Sequence, residues 1–105
     1  MANIAIEIDK DKLRDFCHRW KITEFALFGS VTRPGEFRAD SDVDVLVRFA
    51  PDARRSLDGW LDMREELIAM FGREVDLVER SSLQYMRNYL RRDAIINSAV
   101  LLDVA

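Results

Sequence analysis

The chain contains one cysteine, Cys17, and one histidine, His18. A lone cysteine excludes an intrachain disulfide, and the two residues together are too few for a standard zinc site. His18 sits at a helix edge, and without other partners for it no Ser-His-Asp-type triad can be assembled. Proline and glycine are scarce, two and four residues in 105, which fits neither a collagen-like repeat nor a disordered segment. Positive charge is not in surplus: 16 Lys and Arg stand against 19 Asp and Glu, a net charge of −3. That balance argues against direct nucleic-acid binding, which draws its affinity from excess cationic charge. No apolar run approaches the roughly 18 residues of a membrane span. The opening MANIAIEIDKDKLRD lacks the basic-then-apolar order of a signal peptide. The expectation is a single cytoplasmic domain over residues 1–105, with no membrane contact.

Strands and helices alternate in what remains. Ile4, Ile6 and Ile8 alternate within Asn3 to Ile8, suiting a short extended segment. From Lys10 to Trp20, Leu13, Phe16, Cys17 and Trp20 form one helical stripe behind Asp9 as N-cap. Glu24 to Phe28 (EFALF) reads as a buried strand ending at Gly29, and Asp42 to Phe49 (DVDVLVRF) as a second. Between them Pro34-Gly35 is the pair that a type II turn favours. Ser56 caps a helix carrying Leu57, Trp60, Leu61, Leu67, Ile68 and Phe71, and Gly72 stops it. Arg73 to Glu79 (REVDLVE) is a third strand. Ser81 or Ser82 then opens a helical tail with Leu83, Met86, Tyr89 and Leu90, and a further helical segment carries Ile95, Ile96 and Ala99. The pattern predicts an α/β fold, a small sheet flanked by helices, and leaves the strand order and directions open.

Three aspartates are out of place in such strands. Asp is a poor strand former because it competes for its own backbone and prefers water. Yet Asp42 and Asp44 fall in one strand and Asp76, between Val75 and Leu77, in another. Residues two apart in a strand share a face, about 6.8 Å apart along it, so Val43, Val45 and Val47 turn the opposite way. Asp42 and Asp44 alone also suit the solvated face of an edge strand. If the two strands are neighbours, the three acids converge and repel unless a cation lies between them. A hard divalent ion with oxygen ligands answers that need, and Mg²⁺ is the usual one beside a phosphate substrate.

Gly29-Ser30 follows directly on EFALF. Glycine permits a sharp turn and close approach of a ligand, and serine there can cap a short helix whose N–H groups point at an anion. Arg33, one turn on, can add a bidentate phosphate contact. Other charged residues suit simpler roles. Cys17 lies on the apolar stripe as a buried thiol, His18 at a helix edge, and Glu65 and Glu66 on the polar face of the middle helix. Arg80, Arg87, Arg91 and Arg92, with Tyr85 and Tyr89, read as a solvated face, Arg87 and Arg91 being four apart on one helix. The alternative for that face is docking to an acidic partner.

The combination GSVTRPGEFRADSDVDVLV, Gly29 to Val47, resembles the signature of the nucleotidyltransferases related to DNA polymerase β. In that superfamily a Gly-Ser turn leads to an Asp-x-Asp strand, with a third Asp on a later strand, here REVDLVE. The chain resembles the minimal nucleotidyltransferases (MNT) in particular. Thr32 stands where Ala is usual, Pro34 lengthens the loop by one residue, and Val45 replaces Leu. The resemblance implies a palm-like nucleotidyltransferase fold, a small mixed sheet flanked by helices, in which Gly29, Ser30 and Arg33 bind the nucleotide. Asp42, Asp44 and Asp76 would be catalytic and metal-binding, with two Mg²⁺ ions, replaceable by Mn²⁺, and ATP as substrate. It also implies a partner, since minimal nucleotidyltransferases often serve as antitoxins to HEPN-domain ribonuclease toxins, moving AMP from ATP to a toxin tyrosine. The length fits an acceptor that brings its own docking surface, by analogy with the family. The alternative is an antitoxin that neutralises its partner by binding alone.

Overall fold

The computed structural model describes residues 4–33, 35–53 and 56–104. Helix α1 (Lys10–Arg19) leads into strand β1 (Ile22–Phe28), a 3-10 turn at Gly29–Thr32 and strand β2 (Val43–Phe49). Helix α2 (Leu57–Phe71) crosses over to strand β3 (Val75–Glu79), and a 3-10 turn at Arg80–Tyr85 precedes helix α3 (Tyr89–Ser98) and strand β4 (Val100–Leu102). The four strands form one sheet in the order β3-β2-β1-β4. β1 is antiparallel to both β2 and β4, whereas β2 and β3 run parallel. Parallel neighbours need a long crossover, and α2 supplies it. Among the described residues no helix is long and apolar enough to cross a membrane.

Each face of the sheet has its own apolar layer. Leu13, Phe16 and Cys17 of α1 and Met63 and Leu67 of α2 pack on Phe25, Leu27, Val43, Val45 and Val47. The alternating positions Ala26, Phe28 and Leu46 face the other way and meet Leu83 and Ile95. Burial pushes the Cys17 thiol up to about 12, which makes it an inert member of the larger layer; His18 is exposed beside it. The helix ends follow local chemistry. Asp9 accepts from the N–H groups of Asp11 and Lys12, Ser56 accepts from Gly59, and Gly72 closes α2 at φ +69°, in the left-handed region.

Several sequence expectations need correction. Residues 4–8 form no strand; Ile4, Ile6 and Ile8 pack on the core, and Ala5 N–H donates to Val31 O at 3.0 Å. Alternation reports a buried side, not a ladder partner. The expected helical tail from Ser81 is a 3-10 turn that breaks before Asn88, whose side chain accepts from Arg91 N–H and starts α3. Arg87 therefore lies outside any helix and shares no helical face with Arg91. β4 was not expected; three residues are too few to show a period. The Pro34-Gly35 turn cannot be compared, as residue 34 lies outside the described residues.

Glu66, read as part of a polar face, instead ties α2 to α1. It accepts from Trp20 Nε1 at 2.7 Å and from Arg19 Nη1 at 2.8 Å. Partial burial strengthens the indole bond, because the local dielectric is below that of water. Trp20→Phe removes the donor together with the part of the ring that packs beside the core. It should cost about 2–3 kcal/mol, read as a lowered urea midpoint with an unchanged slope.

Candidate active site

Parallel pairing of β2 and β3 sets Asp44 directly opposite Asp76. Both lie on the face turned away from α1 and α2, since Val43, Val45, Val75 and Leu77 fill the opposite one. A cleft of about 170 Å³ opens there, lined by Gly29, Arg33, Asp44, Asp76, Arg91 and Ser98. Phe28 and Ile95, from the smaller apolar layer, complete its wall.

Gly29 ends β1 with φ +73°, a conformation that L side chains rarely adopt. A Cβ at this position would overlap Asp44 Oδ2 and lie 3.2 Å from its Cγ. The glycine is thus what lets the turn close over the carboxylate. Its N–H donates to Ser98 Oγ at 3.1 Å, and its carbonyl accepts from Thr32 Oγ1 at 2.7 Å. Arg33 is held to the same turn by its N–H, which donates to Ser30 O at 3.0 Å. Its side chain is exposed and pairs with Glu36 at 3.4 Å.

Two expected positions differ in detail. Asp42 lies one residue before β2, exposed, because the ladder begins where Val43 N–H donates to Glu74 O at 2.9 Å. Ser30 does not cap the turn: Gly29 already turns the chain, Phe28 occupies the capping position, and no side chain caps it. Ser30 sits within the turn, half-buried. The cleft therefore unites Gly29, Arg33, Asp44 and Asp76, with Asp42 and Ser30 at its margins.

Arg91 and Ser98 were not expected in the cleft. Arg91 Nη2 donates to Asp76 Oδ2 at 3.2 Å, and Ser98 Oγ donates in turn to Ala94 O at 2.8 Å. The arginine was visible only as one of a cationic run, since its target depends on where α3 packs. No local pattern marks Ser98.

The electrostatics are unbalanced at Asp44. Burial first, then the charges of Asp76 and Asp42, raise its pKa from 3.8 to about 6, against the pull of Arg91 and Arg33. Among the described residues no three acidic, histidine or cysteine side chains close into a ready cation cage. Mg²⁺ does not require one: it is commonly held by one or two carboxylates together with substrate phosphates and water. Two in-register carboxylates whose charges oppose one another, with all-oxygen donors, fit that mode of binding.

The family model for the nucleotidyltransferase domain matches residues 10–101. The chain belongs to this family. A protein adenylyltransferase, MntA, of Thermococcus cleftensis is 43% identical over 75 residues, covering 71% of this chain and 70% of the relative. A solved minimal nucleotidyltransferase superposes with a TM-score of 0.65 at 30% identity, over 89% of this chain and 88% of the other. An MNT antitoxin in complex with a tri-AMPylated HEPN toxin from Shewanella oneidensis shares the fold at a TM-score of 0.53 and 17% identity, over 92% of this chain and 74% of that one. The α/β fold expected from the residue pattern, and the nucleotidyltransferase fold implied by the resemblance, are observed.

In this nucleotidyltransferase the cleft is held at a cost to stability, which two substitutions expose. A carboxyl group with a raised pKa stabilises the fold when protonated, and that contribution is lost as pH rises through about 6. Asp44→Asn in metal-free buffer should therefore be more stable than wild type above that pH, by about 1 kcal/mol after allowing for partial solvent screening. The gain should vanish as pH falls toward 3.8, as read by thermal unfolding across a pH series. Gly29→Ala should destabilise by about 1–3 kcal/mol in urea unfolding, because both the backbone and Asp44 must move.

Proposed function

We propose that this chain transfers AMP from ATP to a hydroxyl, a tyrosine in the first instance, of a partner HEPN-domain ribonuclease toxin, and thereby acts as its antitoxin. The observation that carries the reading is the in-register pair Asp44 and Asp76 beneath the Gly29 turn. The identity to a protein adenylyltransferase supports a protein acceptor. Residues 1–105 work as one nucleotidyltransferase domain in this reading, in the cytoplasm, and the chain has no need to bind nucleic acid directly.

Nucleotidyl transfer joins the acceptor oxygen to the α-phosphorus and breaks the bond from that phosphorus to the bridging oxygen, releasing pyrophosphate. Asp42, Asp44 and Asp76 would hold two Mg²⁺ ions, with Mn²⁺ as a substitute. When bound, the metal neutralises phosphate charge and stabilises the attacking and leaving oxygens. The chain's own groups do the remaining work. Gly29 and Ser30 receive the triphosphate on the turn, where the absence of a side chain at Gly29 lets phosphate come close to backbone. Arg33 reaches the cleft and offers a forked set of donors to phosphate oxygens. Asp76, opposite Asp44 on the edge strand β3, accepts the hydroxyl proton. The small cleft holds the reacting phosphates, while the acceptor approaches from solvent on its own protein.

Intact-mass spectrometry of the partner that co-purifies with the tagged chain tests the reading. With wild type the partner should be heavier by whole AMP units, and with Asp42→Asn/Asp44→Asn it should carry none, while circular dichroism of the chain is unchanged. A partner of unmodified mass, bound equally by both forms, would mean neutralisation by contact alone.

A further inference from the structure

Arg91 stands apart from the other cations of the C-terminal segment. It projects from the first turn of α3 into the cleft and meets Asp76 at 3.2 Å, whereas Arg92, its neighbour, pairs along the surface with Asp93 at 3.6 Å. The Arg91–Asp76 pair is roughly half exposed on both sides, 52% and 45%, so it contributes little to the fold and is easily exchanged. The guanidinium lines the same small cleft as Arg33, Gly29 and Ser98. Its position is fixed at both ends of its helix: Asn88 caps the start, and Ser98 Oγ accepts the Gly29 N–H at the end. The helix that carries Arg91 is therefore fastened to the turn proposed to receive the triphosphate.

Asp76 has two competing uses. In the proposed reaction it must face metal and acceptor, and an arginine bonded to it would stand in the way. An incoming polyphosphate supplies several anionic oxygens, a better match to a forked guanidinium than one carboxylate oxygen at 3.2 Å.

We propose that Arg91 is a polyphosphate-binding residue of this active site, held on Asp76 until the nucleotide arrives and then transferred to its phosphates. The contact with Asp76 offsets part of the charge repulsion between the two carboxylates. Transfer to the nucleotide frees Asp76 at the moment its carboxylate is needed. This inference rests on the nucleotidyltransferase reading of the cleft and adds to it a residue and an order of events.

Equilibrium binding of ATP and of AMP to the full chain, with Mg²⁺ and with EDTA, tests the proposal in wild type, Arg91→Ala, Asp76→Asn and the double variant. Arg91→Ala should weaken ATP binding about tenfold, the worth of one charge-assisted hydrogen bond, and leave AMP binding nearly unchanged. In EDTA, Asp76→Asn should tighten ATP binding, and most of that gain should disappear when Arg91 is also alanine. Arg91→Lys should recover part of the affinity. Strictly additive effects in the double variant, or ATP binding unaltered by Arg91→Ala while its melting temperature falls, would overturn the proposal and leave Arg91 as an anchor for α3. Wild type that binds no ATP even with Mg²⁺ would overturn the nucleotidyltransferase reading itself, and this inference with it.

Discussion

Two carboxylates are held side by side by the hydrogen-bond ladder between β2 and β3, and nearly every other feature of the molecule accommodates that pairing. Asp44 faces Asp76 because the strands run parallel in that register, and they run parallel because α2 makes the crossover between them. The register is locked from behind. Val43, Val45 and Val47 are fully buried, so a slip by one residue would drive the valines into the cleft and the aspartate into the core. The repulsion at the front is thus opposed by apolar packing at the back. Ion pairs contribute less, since all those around the cleft are substantially exposed.

The turn after β1 is shaped by the same carboxylate. Gly29 lies where any side chain would strike Asp44, and β1 pairs with β2 so that Phe28 falls opposite Asp44. The turn, both acids and α3 therefore form one structural unit, although they span residues 28 to 98. Ser98 joins the last part of this unit to the first through the Gly29 N–H. A change at the end of α3 is felt at the turn without any contact to the acids.

How far the sequence could be read depended on whether a feature was local. Caps at Asp9, Ser56 and Gly72 and the alternation in β2 are set by neighbouring residues, and each was legible with its physical cause. The family signature added Gly29, Ser30, Arg33 and the three aspartates together, and four of these six line the cleft. What escaped was set by packing between distant segments. Arg91 and Glu66 each resembled surface charges until the helices carrying them were placed, and the direction of each strand was unreadable. β4 and the 3-10 turn before α3 are too short to carry a period. The isoleucines near the N-terminus gave a correct report of burial and a wrong one of pairing.

The lateral edges of the sheet have a bearing on how other chains can meet it. β4 closes one side with three residues and β3 the other with five. Edges this brief offer only a handful of free backbone groups, so an added strand gains little from backbone pairing alone. A protein that engages the molecule from the side is therefore recognised largely through side chains and shape, with specificity encoded in residue identity more than in backbone continuity. Such contacts can be rewritten one residue at a time while the sheet beneath, and the acids it holds, remain unchanged.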